Sequence, residues 1–526
     1  MNNLYVFAIG GSGERVMKSL VMMLAAGMPI GARRLCPVFV DNDVQSNALT
    51  TCLDLINYYR SNPKSDKTDK VGLHELCNNG DAEKVPSFAH VEIAKPVILN
   101  VAGNQIGNLD KIIGHLDTKK QFEDAVLEER NLLFTQDDLD MPLTVGFVGN
   151  PNIGSVVLNS LSLQSDAFKT IYTDASTGDG VFVIGSLFGG TGAAGFPLII
   201  NKFRSDDNTH CPLLGGVAVL PYFSVKVGDQ TQGQIDTKRF DVNSDTFTSK
   251  TRAALMYYDE YMRDMDYMYY VGDNGKRSLY EHYVGGEKQE NPYNMIEVMA
   301  AMSVVNFSQK PTGAERGQVV YEIPLWDFNQ ETLSNISSIR NKALQRSLVK
   351  FQLMKELFEN KEFLKWSIEQ KHPFVANIKF TEVMRGAVLN GDQLQNYPKA
   401  WGLYNIFEQW DKWMSELASN RVKRQVNLFN NAGVTRENIT QKFYTDTEFG
   451  IAKTEDNSSL VWEGLMPKRI YKKEVILPAI EDALNEAFSE ARINPKVFSQ
   501  ENSLSYLLYI ISSALDKVLD NKCNLN

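Results

Sequence analysis

The sequence predicts an α/β fold: a parallel sheet with glycine-rich or acidic turns at its strand ends, followed by a mostly α-helical C-terminal domain. Three observations carry this expectation. Short apolar runs rich in β-branched residues alternate with helical patterns over about the first 310 residues. Several of those runs end in glycine or acidic turns. Beyond about Glu331 the alternation stops and long helical stretches take over.

The stretch Val181 to Pro197 shows the pattern most fully. Val181-Phe-Val-Ile184 reads as a buried strand, the chain turns through Gly185, Ser186, Phe188, Gly189, Gly190, Thr191 and Gly192, and a helix is expected from Ala193 to Phe203. Glycines lack Cβ, so their N–H groups can approach an anion closely, and the following helix dipole favours negative charge. A tight turn without a ligand is the alternative for such a loop taken singly.

The other units follow in order. Strand Leu4–Ile9 leads through Gly10-Gly11-Ser12-Gly13 to a helix Glu14–Ala26. Strand Cys36–Val40, which with the first strand and the helix between them reads as a right-handed βαβ unit, leads through Asp41-Asn42-Asp43 to a helix Val44–Tyr59. Residues 60–140 read as an insertion on the sheet. Leu143–Val148 reads as a strand that closes on Gly149-Asn150-Pro151-Asn152-Ile153-Gly154 and a helix Ser155–Leu163. Strand Leu214–Pro221, helix Ser249–Met262, strand Tyr267–Val271 with a turn at Gly272–Gly275, and a long helix Asn291–Phe307 complete an N-terminal domain, 1–325. The C-terminal domain, 326–526, carries helices Leu333–Glu356, Tyr404–Arg424, Glu474–Ala491 and Ser503–Leu519.

Composition narrows the function classes. The chain has 526 residues, and its net charge of −10 argues against an extended nucleic-acid footprint, so no nucleic acid is expected as a partner. No apolar run is long enough for a transmembrane segment. The opening strand leaves no room for a signal peptide, and the five cysteines form neither a C-x-x-C pair nor a Cys/His cluster. Reduced thiols, no structural zinc and a cytoplasmic location are the expectation. There is no Gly-x-x-x-x-Gly-Lys-Ser/Thr loop and no Gly-x-Ser-x-Gly elbow.

In a parallel sheet the turns at the C-terminal strand ends share one edge, where ligands bind. Two glycine loops there suit a polyphosphate, and Asp41–Asp43 beside them suits Mg²⁺ held through water, with Asp43 the candidate. The order of these loops resembles the tubulin/FtsZ superfamily, nearer its FtsZ and prokaryotic branch. Gly10–Gly13 looks like its first phosphate loop. Asp41-Asn42-Asp43-Val44-Gln45 is similar to its Asn-Thr-Asp-Ala-Gln loop, and Gly149-Asn150-Pro151-Asn152-Ile153-Gly154 to its Ala-Asn-Pro-Glu-Ile-Gly loop. Gly189-Gly190-Thr191-Gly192 matches the tubulin signature, with Ala193 at the next Ser/Thr position.

The resemblance implies a Rossmann-like nucleotide-binding domain for GTP or GDP with Mg²⁺. It implies ribose contact near Pro221, base contact at Asp273-Asn274 and guanine contact at Asn294. In that family hydrolysis is completed by the next subunit through an Asn-x-Asp-Phe-type loop, which is missing after the long helix here. The nearest substitute is Trp326-Asp327-Phe328-Asn329-Gln330-Glu331, with Asp327 and Glu331 as candidate catalytic carboxylates; a helix N-cap is the other reading. The C-terminal half also departs from the family's α/β activation domain.

The expected function is that of a guanine-nucleotide-dependent switch or scaffold with weak or no intrinsic GTPase, its helical half docking a protein partner. A polymerising cytoskeletal GTPase, self-associating head to tail into filaments, is the alternative. An NAD-binding Rossmann enzyme is more distant, because Gly11-x-Gly13-x-x-Val16 lacks the third glycine.

Overall fold

The computed structural model describes residues 1–60, 70–78, 88–100, 107–117, 124–141, 143, 146–147, 149–160, 165–204, 212–225, 244–262, 265–272, 278–280, 286–287, 290–312, 319–322, 341–359, 400–419, 479–480, 482–487 and 503–523. The chain opens with β1 (Asn3–Ile9), α1 (Gly10–Ala25), β2 (Arg34–Val40) and α2 (Asn47–Tyr59). Then come α3 (Leu73–Asn78), β3 (Glu92–Ile93), β4 (Val97–Leu99), α4 (Leu109–Asp117), α5 (Asp124–Leu133), α6 (Gln136–Asp140), α7 (Pro151–Ser160) and α8 (Asp166–Asp174). The next run is β5 (Gly180–Ser186), α9 (Gly190–Phe203), β6 (Leu213–Val219), β7 (Phe223–Val225), α10 (Phe247–Tyr261), β8 (Tyr267–Val271), β9 (Ser278–Tyr280), α11 (Met295–Ser308) and β10 (Val319–Glu322). The last described elements are helices: α12 (Asn341–Glu359), α13 (Trp401–Ser419) and α14 (Ser503–Cys523).

Eight strands form one sheet in the order β10-β8-β6-β5-β1-β2-β3, with β4 also on β2, and every pairing is parallel. Strand β5 is buried along its whole length, as a strand covered on both faces must be. Its side chains divide by period two. Phe182 and Ile184 join Leu4, Val6 and Ala8 in a core with α1, α2 and α11, and Val181 and Val183 join Phe7 and Ile9 in a second core with α7, α8 and α9. The result is a three-layer α/β/α arrangement.

The first core continues without a break into α12, α13 and α14 through Phe351, Trp410, Trp413 and Leu508. Trp413 is fully buried and its indole N–H donates to Ser19 Oγ of α1 at 3.2 Å. The C-terminal helices therefore share apolar packing with the back of the sheet domain. Among the described residues no helix is long and apolar enough to cross a membrane.

Three expectations need correction. Helix α1 begins at Gly10, four residues before the expected start, so the glycines form its first turn. Packing overrides propensity there: a Cβ on Gly13 would stand 2.7 Å from the Ala8 carbonyl carbon. The strand expected at Leu143–Val148 is not seen among the described residues of that segment; Leu143 lies in a 3-10 turn, and Gly146 and Gly149 have φ of +79° and +73°. Those angles are incompatible with extended backbone, and β3 and β4 already pair with β2. Segment 60–140, read as an insertion, supplies β3 and β4 to the sheet itself.

Candidate functional site

The order of strands reverses between β1 and β5: α1 leads away to β2, and α9 leads away to β6. Such a switch point leaves a crevice at the C-terminal strand ends. The turns singled out in the sequence meet there. Gly10 has φ +66°, a left-handed conformation that favours glycine, and it lies against α9: a Cβ on it would be 3.2 Å from Thr191 Cβ and 3.7 Å from Gly192 N. Gly190 lies as close to the third turn, where an added Cβ would be 3.1 Å from Gly149 N and 3.0 Å from Asn150 N. Asp41 closes the remaining side, since a Cβ on Gly146 would lie 3.8 Å from Asp41 Oδ1 and 4.0 Å from Thr191 Oγ1.

The helix N-termini α1, α7 and α9 thus converge with their first-turn N–H groups unpaired within their helices. Gly11, Asn42, Gly149, Asn150, Pro151 and Gly189 are partly exposed, whereas Gly10, Ser12, Gly13, Gly190, Thr191 and Gly192 are buried behind them. Asn150 shapes its turn: its Oδ1 accepts from Asn152 N at 3.2 Å, and its Nδ2 donates to Asp138 Oδ1 at 2.9 Å.

Three carboxyl groups lie beside the glycines. Asp41 Oδ1 accepts from Asp43 N at 3.0 Å, and Asp43 Oδ2 accepts from Gly286 N at 2.6 Å. Glu14, fully buried in the first turns of α1, accepts from Ser46 Oγ at 3.1 Å through Oε2, while its Oε1 accepts no hydrogen bond among the described residues. Burial, with the charges of Asp41 and Asp43 beside it, raises the Glu14 carboxyl well above the usual range. Burial and the Asp43 charge push Asp41 up to about 7, against hydrogen bonds from the Asp43 and Asn42 backbone. Burial raises Asp43 as well. No group of three or more His, Cys, Asp or Glu among the described residues could hold a metal ion directly.

Among the described residues a cation faces the glycine turns. Lys250, near the start of α10, is half-buried, and its Nζ lies 3.1 Å from the position of a Cβ on Gly149. It forms no ion pair among the described residues, and burial lowers its pKa. Sequence reasoning missed both Glu14 and Lys250. Glu14 follows Gly13 directly and was legible by adjacency. Lys250 carries no local signal, because about a hundred residues separate it from the turn it reaches.

Two other expected residues, Pro221 and Asn294, are both buried. Pro221 is buried in the turn after β6, next to Tyr222. Tyr222 accepts a hydrogen bond from Arg15 at 2.6 Å and donates one to Glu297 at 2.8 Å. Asn294 is 2% exposed and caps α11. Asp273, Asn274, Asp327 and Glu331 lie outside the described residues.

Searches for relatives add no assignment: no family model matches the chain, and no curated protein matches it.

Proposed function

We propose that the chain is a tubulin/FtsZ-like nucleotide-binding protein that takes GTP or GDP with Mg²⁺ and acts as a nucleotide-dependent switch or scaffold. The observation that carries this reading is the meeting of three helix N-termini at Gly10, Gly149–Asn150 and Gly190–Thr191, with Asp41 and the Lys250 ammonium at their edge. Oriented N–H groups, a threonine hydroxyl and one cation suit a polyphosphate chain. The order of these loops along the chain, with those after β1, β2 and β5 at the ends of adjacent parallel strands, supports the family reading.

Mg²⁺ fits the acidic side of the crevice. It would neutralise charge between phosphate oxygens and the Asp41–Asp43 turn, with Asp43 reaching it through water, because the carboxyl groups form no direct cage. Once bound, the ion would supply charge neutralisation of the phosphates. The switch or scaffold role is favoured over filament formation by the shared core of α12, α13 and α14 with α1, α2 and α11, which links the helical half to the phosphate-facing helix.

Sedimentation with GTP, GDP or no nucleotide separates the two roles. The switch reading expects no nucleotide-dependent pelleting across protein concentrations; GTP-dependent pelleting would favour the filament instead.

A further inference from the structure

Asn294 stands where the proposed family would read the guanine base, and its surroundings give it a different task. Its side-chain oxygen accepts from Ile296 N at 3.0 Å and from the Glu297 N–H of a capping box. Glu297 Oε2 in return accepts from Asn294 N at 3.1 Å. An amide oxygen has two lone pairs, so both are engaged by the helix terminus. The amide nitrogen faces the Tyr280 hydroxyl at 3.5 Å, and that hydroxyl donates to Pro292 O at 3.2 Å. Tyr280 is itself 3% exposed and stacks on Phe223, with ring centroids 5.0 Å apart. Glu297 is fixed from its other side by Arg15 and Tyr222.

We infer that Asn294 is the N-cap of α11 and does not read the nucleobase, and that Tyr280 is the positioning residue that closes over it. The inference rests on the nucleotide-binding reading only for its ligand arm; the capping arm stands without it. Base discrimination at this site is then independent of the Asn294 amide.

Asn294→Asp separates the two roles. Aspartate keeps the accepting oxygens and caps as well as asparagine, whereas alanine does not cap. A base-reading amide changed to a carboxylate loses its donor and keeps only acceptors, which suit the N1–H and N2 amino donors of guanine and not the C2 carbonyl of xanthine, so the GTP-to-xanthosine-triphosphate ratio would shift. Full-length wild type, Asn294→Asp, Asn294→Ala and Tyr280→Phe are compared by thermal unfolding and by binding of GTP, ATP and xanthosine triphosphate. Capping expects the Asn294→Asp midpoint, lowered by a carboxyl buried beside Glu297, to stay above that of Asn294→Ala. It also expects the GTP-to-ATP and GTP-to-xanthosine-triphosphate ratios of Asn294→Asp to stay within about twofold of wild type. Tyr280→Phe keeps the ring stack and is expected to leave both ratios unchanged.

A change of about tenfold or more in either ratio in Asn294→Asp, the size expected for one hydrogen bond gained or lost, overturns the inference. An Asn294→Asp midpoint as low as that of Asn294→Ala overturns it too. Should no nucleotide bind any of the proteins, the function proposed above falls, while the order of midpoints still decides the cap.

Discussion

Arg15 Nε lies 2.7 Å from Glu297 Oε1 in a fully buried ion pair that ties α1 to α11, and the Tyr222 hydroxyl bridges the two. Helix α1 carries the Gly10 turn of the candidate site in its first turn, and α11 packs against it. Removing one partner strands the other charge. Arg15→Ala is expected to lower unfolding free energy by about 3–5 kcal/mol, and the paired Arg15→Met/Glu297→Leu change to recover most of it. Urea unfolding midpoints check this; an Arg15→Ala midpoint equal to wild type would count against the buried pair.

Gly190→Ala tests the close approach of two turns. The added methyl would sit 2.9 Å from Phe147 Cβ and 3.0 Å from Asn150 N, neither of which can yield cheaply. The expected cost is about 1–3 kcal/mol of stability from overpacking, with weaker nucleotide binding as the turns separate. Isothermal titration beside thermal unfolding reads both. A variant that binds as wild type does would show that Gly190 is only a packing residue.

Lys250→Gln removes the cation from the glycine turns while keeping much of the side-chain stem. Because the ammonium has no ion-pair partner among the described residues, stability should change little. Nucleoside triphosphate affinity should drop roughly tenfold or more, as for loss of one charged hydrogen bond. Unchanged affinity would place the phosphates elsewhere.

Lys350 supplies a pH signature in the helical half. It is 3% exposed, lies over the Phe88 ring, and pairs with Asp516 near Arg346 and Asp520. Burial lowers its pKa from 10.5 to about 8 despite the favourable Asp516 charge. The unfolded chain therefore binds the proton more tightly, and the contribution of this group to stability rises with pH from about 8 to 10.5. The stability of Lys350→Met minus that of wild type should accordingly shrink over that window. Chemical denaturation at about pH 8 and about pH 10 measures it, and a constant difference would contradict the shifted lysine.

The sheet was legible because its strands are buried on both faces and read as continuous apolar runs, as Val181–Ile184 does. The glycine turns were legible for a related reason: the left-handed φ at Gly10 and the close approach at Gly190 favour glycine, so local composition reported a tertiary constraint. Leu143–Val148 misled because its apolar content suits a strand, whereas positive φ at Gly146 and Gly149 turns the chain away. The strands of β3 and β4 are two and three residues long, too short for any period to appear. Lys250 and the capping role of Asn294 depend on which elements meet in space, and no local pattern records that.

The central claim is that the crevice between β1 and β5 holds a guanine nucleotide. Purified protein heated to release bound ligand, with the supernatant resolved by ion-exchange chromatography, tests this most directly. The expected result is stoichiometric GDP or GTP, sharply reduced in Gly190→Ala. Recovery of NAD, or of no nucleotide from protein that also fails to bind added GTP with Mg²⁺, would contradict it.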